Sequence, residues 1–179
     1  MPQGTNAPDT IYPGYPGLVA TADALAQMVW GFPLARKGAK GQPLKPKPVN
    51  NARRDKLDSW FWQSSFTHRR CIIPVSAFAE AEGERGGKTR TWFTAPDAPL
   101  LTIGGIWRNS EEWGRSYSMV MTDANETVAP LHDRMPVILR PGDVATWLDG
   151  EAADAFDLCT PYAGPLAVDR TDQPWVARR

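Results

Sequence analysis

CIIPVSAFAEAE, Cys71 to Glu82, sets the character of this chain. Its apolar start reads as a buried strand, broken at Pro74 because proline cannot donate to a ladder. Past the break, alternation puts Phe78, Glu80 and Glu82 on one face and Ala77, Ala79 and Ala81 on the other. ERGGK (Glu84–Lys88) reads as a turn, and TRTWFTA (Thr89–Ala95) alternates again, so the two runs form a hairpin. An acid sharing a face with a core-type aromatic is partly shielded from water, which raises its pKa. Glu80 is therefore a candidate proton carrier; the competing reading is a solvated glutamate beyond the end of the strand.

Further strands follow. LLTIGGIW (Leu100–Trp107) is one, with Gly104 and Gly105 marking a bulge or a close backbone approach. SYSMVMT (Ser116–Thr122) is the next, and MPVIL (Met135–Leu139) is a short buried one. ANETVAPLH between them is expected to turn through a helical segment. Asp143 is expected to cap a short helix over Asp143–Leu148. A last strand is expected near Pro165–Val168. Upstream, Leu57–Phe66 has the spacing of a short helix with one aromatic face, and Ala20–Val29 suits either a short helix or a strand. Trp30–Leu34 is too short and too broken by Pro33 for a helix. Residues 1–17 read as an irregular lead-in, and 18–179 as a single domain. Strands dominate with short helices between them, so the fold class is α+β.

The 179 residues suit one domain with a sizeable core. Lysine plus arginine and aspartate plus glutamate are 20 each, which excludes a chain that coats nucleic acid through an overall basic surface. The charge is uneven, however. Arg36 to Lys56 holds eight basic residues against Asp55, a net of +7, while Asp143 to Asp172 holds seven acids against Arg170, a net of −6. The plain reading of GAKGQPLKPKP is a solvated loop, because it has no apolar period. No apolar run reaches the length of a membrane span, and the N-terminus lacks a signal-peptide pattern. Cys71 and Cys159 read as reduced thiols of a cytoplasmic protein, although a disulfide between them is possible. Two histidines and two distant cysteines give no metal spacing. There is no phosphate loop, GxSxG elbow or HExxH, so neither metal nor cofactor is expected.

Four more positions carry candidate chemistry. His132, in LHDRMPVIL, sits at the mouth of an apolar strand, where acid–base work is possible and a purely structural histidine is the alternative. Asn51 and Arg53 close the basic stretch in NNARRD; the amide can orient a substrate and the guanidinium can grip a phosphate. Trp30, before Gly31, offers a ring for base stacking or simply a core side chain.

Taken in order, Trp30–Pro33, Asn51–Arg53, Arg70–Ala81, Gly105–Trp107, His132–Pro136 and Trp147–Leu148 resemble the SOS response-associated peptidase (SRAP) family. That family's pattern is roughly WGxxP, NAR, RCLIPxxGFYEW, G(L/I)W, HxRMP and WL. The resemblance spans about residues 29–148. It implies a strand-rich domain that binds single-stranded DNA and senses abasic sites in a DNA-damage response; the chain itself is expected to be a monomer. It also implies a terminal cysteine whose amine and thiol close a thiazolidine on the open sugar, and self-cleavage of a short leader. Carried over by motif, Asn51 positions the amine, Arg53 meets a phosphate, and Glu80 and His132 move protons. Thr122, in MVMTDAN, matches a family threonine near the DNA.

Three positions depart from the pattern. The chain begins Met-Pro where the family begins Met-Cys, and the usual Tyr and Trp of FYEW are Ala79 and Ala81. The family also places several dozen more residues before WG than the 29 found here, so its first strand and helix are expected to be missing. Two functions of different class follow: an abasic-site cross-linker whose nucleophile lies outside this sequence, and a single-stranded-DNA binding module without one. A peptidase acting on other proteins is the weaker third. Removal of Met1 would expose the secondary amine of Pro2, which forms only a transient iminium with an aldehyde.

Overall fold

Antiparallel pairing of two ten-residue segments, Leu101–Ser110 and Gly114–Asp123, makes the longest hairpin of the fold. The computed structural model describes residues 10–176. Its strands run β1 (Pro16–Ala20), β2 (Leu25–Trp30), β3 (Phe32–Lys37), β4 (Pro43–Val49), β5 (Asn51–Arg53), β6 (Arg70–Val75), β7 (Phe78–Glu82), β8 (Thr89–Thr94), β9 (Leu101–Ser110), β10 (Gly114–Asp123), β11 (Arg134–Pro136) and β12 (Ala167–Pro174). Helices α1 (Gln63–His68), α2 (Val144–Asp149) and α3 (Ala152–Asp157) lie between them. The class is α+β, as the sequence indicates.

The pairings close on themselves. β10 joins β2, β2 joins β1, β1 joins β6, β6 joins β9, and β9 returns to β10. Such closure removes lateral edges. β5 and β11 extend the sheet along the far half of β10. Alternation sorts the apolar residues onto two faces. Val19, Met28, Cys71, Ile73, Ile103 and Tyr117 form one buried cluster. Ile72, Ile106 and Val120 fall in the other, with Phe66, Trp147 and Ala155 of the three helices. The helices therefore cover the outside of the ring, and the first cluster fills its interior.

Two features pin helices to ring. Gly104 lies under the Trp147 indole, where a Cβ would come within 2.7 Å of the ring. The register through Gly104 and Gly105 is continuous, so they serve close approach rather than a bulge. The Trp147 indole N–H donates to the Cys71 carbonyl at 2.9 Å. The buried Arg70 guanidinium donates to the carbonyls of Phe66 (2.8 Å) and Thr67 (3.1 Å) in α1, and to those of Trp147 and Gly150 at the end of α2. Carbonyls at helix C-termini lack intrahelical donors, so one cation satisfies two helix ends.

Several local expectations are corrected. The strand over Cys71–Glu82 breaks at Ser76 and Ala77, not at Pro74, which pairs with Thr102 inside β6. Ala20–Val29 resolves into the β1–β2 hairpin, and β1 already begins at Pro16, inside the expected lead-in. GAKGQPLKPKP is not a loop: β3 and β4 pair as a ribbon, irregular at its tip and at a register shift between Leu34 and Arg36. Gly31, at φ +108°, makes the corner into that ribbon. The aromatic helix starts later than expected, at Gln63, leaving Trp60 85% exposed in a turn. ANETVAPLH winds through hydrogen-bonded turns without forming an α-helix. Asp143 makes no side-chain cap; it ends a 3-10 turn over Pro141–Asp143. The expectation for Pro2 lies outside the described residues.

Candidate functional site

β2, β5, β7, β8 and β10 all reach a cavity of about 570 Å³ that opens from the ring interior. Its apolar walls include Ile73, Phe78, Ile103, Met119 and Met121; its polar side chains include Asn51 and Glu80. Strand register explains this grouping. Met119 pairs with Asn51 and Met121 with Arg53, so these four share a face of the sheet. Ser118, Val120 and Thr122 take the opposite face.

Trp30 lines the cavity and stacks on Tyr117 with ring centroids 6.5 Å apart and planes 11° apart. Its indole N–H donates to the Asn50 carbonyl at 3.3 Å. Glu80, half-buried on β7, has its carboxyl raised above the usual range by burial. His132 and then Arg134 draw it back, and Asp133 adds to the rise. The His132 Nδ1 accepts from the Arg134 backbone N–H at 2.9 Å, which suits a neutral ring with its proton on Nε2. A protonated ring would instead donate from Nδ1 to the Arg134 carbonyl (3.0 Å) or meet the Asp133 carboxylate (3.2 Å). The loop thus offers Nδ1 a partner in either protonation state.

Trp30, Asn51 and Glu80 share one cavity; His132 does not line it but is near enough to act on the charge of Glu80. Arg53 is exposed on the Asn51 face of β5 and holds Asp55 in a two-pronged ion pair at 2.7 and 2.8 Å. Thr122 is not at the cavity. It is 2% exposed, faces the helices and donates to the Cys159 carbonyl at 2.9 Å, a structural contact. Tyr117, Arg90 and Trp92 line the cavity without having been singled out. The period-2 run Tyr117, Met119, Met121 was the available signal for the first of these.

The cysteines are both free and buried. Burial pushes the Cys71 thiol up, and the Cys159 thiol up to about 12. Among the described residues no group of three or more His, Cys, Asp and Glu side chains could hold a metal ion. No helix there is long and apolar enough to cross a membrane.

The strand ring thus carries an amide, Asn51, and a shielded carboxyl, Glu80, on its cavity wall, with His132 near enough to act on the carboxyl's charge. The family described as SOS response associated peptidase (SRAP) matches residues 6–173, and the chain belongs to it. It is 26% identical over 135 residues to the abasic site processing protein YoqW of Bacillus subtilis, covering 73% of this chain and 59% of that protein. It is 28% identical over 166 residues to the abasic site processing protein HMCES of Xenopus tropicalis, covering 76% and 49%. The chain therefore spans between about half and three-fifths of these curated relatives. A crystal structure of a Bordetella bronchiseptica protein superposes with a TM-score of 0.76 at 28% identity, covering 90% of this chain and 86% of that one. One from Bacteroides thetaiotaomicron, at 19% identity and TM-score 0.70 over 88% and 74%, shares the fold.

Proposed function

We propose that this chain binds single-stranded DNA and takes an abasic site into the cavity beside Asn51 and Glu80. The observation that carries the reading is the half-buried Glu80 on the cavity wall, with His132 and Arg134 close enough to act on its charge. An abasic sugar reacts through its open-chain aldehyde, and opening the ring requires a proton to be given and taken. Glu80, kept protonated to higher pH than an exposed glutamate, supplies one; His132 takes the other. The Asn51 amide orients the sugar, and Arg53 exchanges Asp55 for a backbone phosphate. The names of the curated relatives support the abasic site as target.

In the covalent form of the reaction, a terminal amine nitrogen adds to the aldehyde carbon and water leaves. A thiol of the same residue then adds to the resulting imine and closes a thiazolidine. Neither cysteine of this sequence fits that step. Cys71 and Cys159 are internal, so their nitrogens are amides, and both thiols are buried. A permanent link of this kind therefore requires an N-terminal cysteine, a role that Cys71 and Cys159 do not fill.

The test compares abasic and intact single-stranded oligonucleotides, first in equilibrium binding and then on denaturing gels with and without borohydride. Tighter binding of abasic DNA by about tenfold, reduced by Asn51→Ala, is expected, with no linked species surviving without reductant. Equal binding of the two oligonucleotides would refute the abasic reading. A stable link without reductant would refute the cysteine argument.

A further inference from the structure

Ala79 and Ala81 sit opposite Trp92 and Arg90 in the β7–β8 register, so all four share one face. With alanine at both β7 positions, the large groups on that part of the face come from β8. Both of those β8 residues line the cavity. Two further aromatics join them from outside the strands. The Arg90 guanidinium lies over the Tyr12 ring, 5.2 Å from its centroid. It also reaches the Trp175 carbonyl at 3.5 Å, and the Trp175 N–H donates to the Lys88 carbonyl at 2.8 Å. Tyr12 and Trp175 line the same cavity, yet remain 40% and 38% exposed. No carboxylate pairs with Arg90 among the described residues.

We infer that Tyr12, Arg90, Trp92 and Trp175 form a second subsite, which stacks a nucleobase next to the base-free position. A guanidinium with no carboxylate partner among the described residues, set among part-exposed aromatic rings, is the chemistry that holds single-stranded nucleic acid without reading sequence. The rings receive the flat base and Arg90 faces its phosphate. The subsite lies on the β8 side of the cavity; Trp30 and Asn51 come from β2 and β5. A strand crossing the mouth then meets aromatic surface from both sides, with the gap in its bases between them. The inference rests on the proposed DNA reading.

Tyr12 and Trp175 lie outside the strands, so replacing them leaves the ladders intact. The experiment uses the whole chain and two oligonucleotides carrying one stable abasic analogue: one keeps all other bases, the second has base-free spacers on both flanks. Tyr12→Ala and Trp175→Ala should each weaken binding of the first by at least fivefold and leave the second unchanged. Trp175→Phe should restore most of the loss. Equal weakening of both oligonucleotides, or none of either, overturns the subsite. Fully intact DNA separates the two proposals. If it binds as well as the abasic strand but still depends on Tyr12 and Trp175, the abasic reading fails and the subsite stands.

Discussion

Glu80 ties pH to stability. Its carboxyl sits above the usual range because burial penalises the charge. A group whose folded pKa is raised holds its proton more tightly when native. Its contribution to stability is complete below the unfolded value, 4.5, and is lost as pH rises through the folded value. Glu82 and Asp55 run the other way: bonds to Thr91 and Arg170, and to Arg53, hold them low, so their contribution is lost as pH falls. Those two are common to wild type and Glu80→Gln, so the difference between the proteins isolates Glu80. Urea unfolding at steps from about pH 4 to about pH 8 should show wild type losing ground to Glu80→Gln as pH rises. A difference that does not change with pH would contradict the assignment. The same variant should lose the proton step at the sugar while keeping phosphate contacts.

The β3–β4 ribbon is the most basic element. Lys37, Lys45 and Lys47 fall on one face by register and Arg36 on the other, and Lys40 lies at the tip. Prolines at 43, 46 and 48 remove backbone donors from β4, which discourages another strand from adding there. Charge is what the ribbon offers. Each phosphate contact on a single strand contributes about 0.7 to the slope of log affinity against log salt. Lys37, Lys45 and Lys47 replaced together by Gln should lower that slope by up to about 2. An unchanged slope would place the DNA elsewhere. The same prolines hid the ribbon from sequence reading, since they signal loop when no partner strand is known. Pro74 misled in the same way: it sits in β6 with its missing donor harmless. Where alternation was unbroken, as along β9 and β10, the strands were legible. Asn51, Glu80 and Trp30 were legible through their motifs. Thr122 was not, because only the register shows which face of β10 it takes.

At the scale of the whole molecule, the ring and its helical cover decide the fate of the thiols. Cys71 and Cys159 are 0% and 1% exposed. A thiolate is the reactive form, and burial suppresses it at both positions. Iodoacetamide should leave the native protein unlabelled and modify both cysteines only after denaturation, as read by mass spectrometry. Labelling of either in the folded state would reopen its candidacy as a nucleophile.

Closure of the ring also sets a timetable for synthesis. Val29 pairs with Ser116 and Trp30 with Tyr117, partners 87 positions apart in each case. The β1–β2 hairpin can form soon after it leaves the ribosome, but its outer edge must wait for β10. At about 5–20 residues per second, that wait lasts roughly 4–17 seconds. During it, the nascent chain presents an unpaired edge and the apolar side chains of a half-built interior. Cells making this protein quickly should therefore depend on chaperones to shield the β2 edge until the ring shuts.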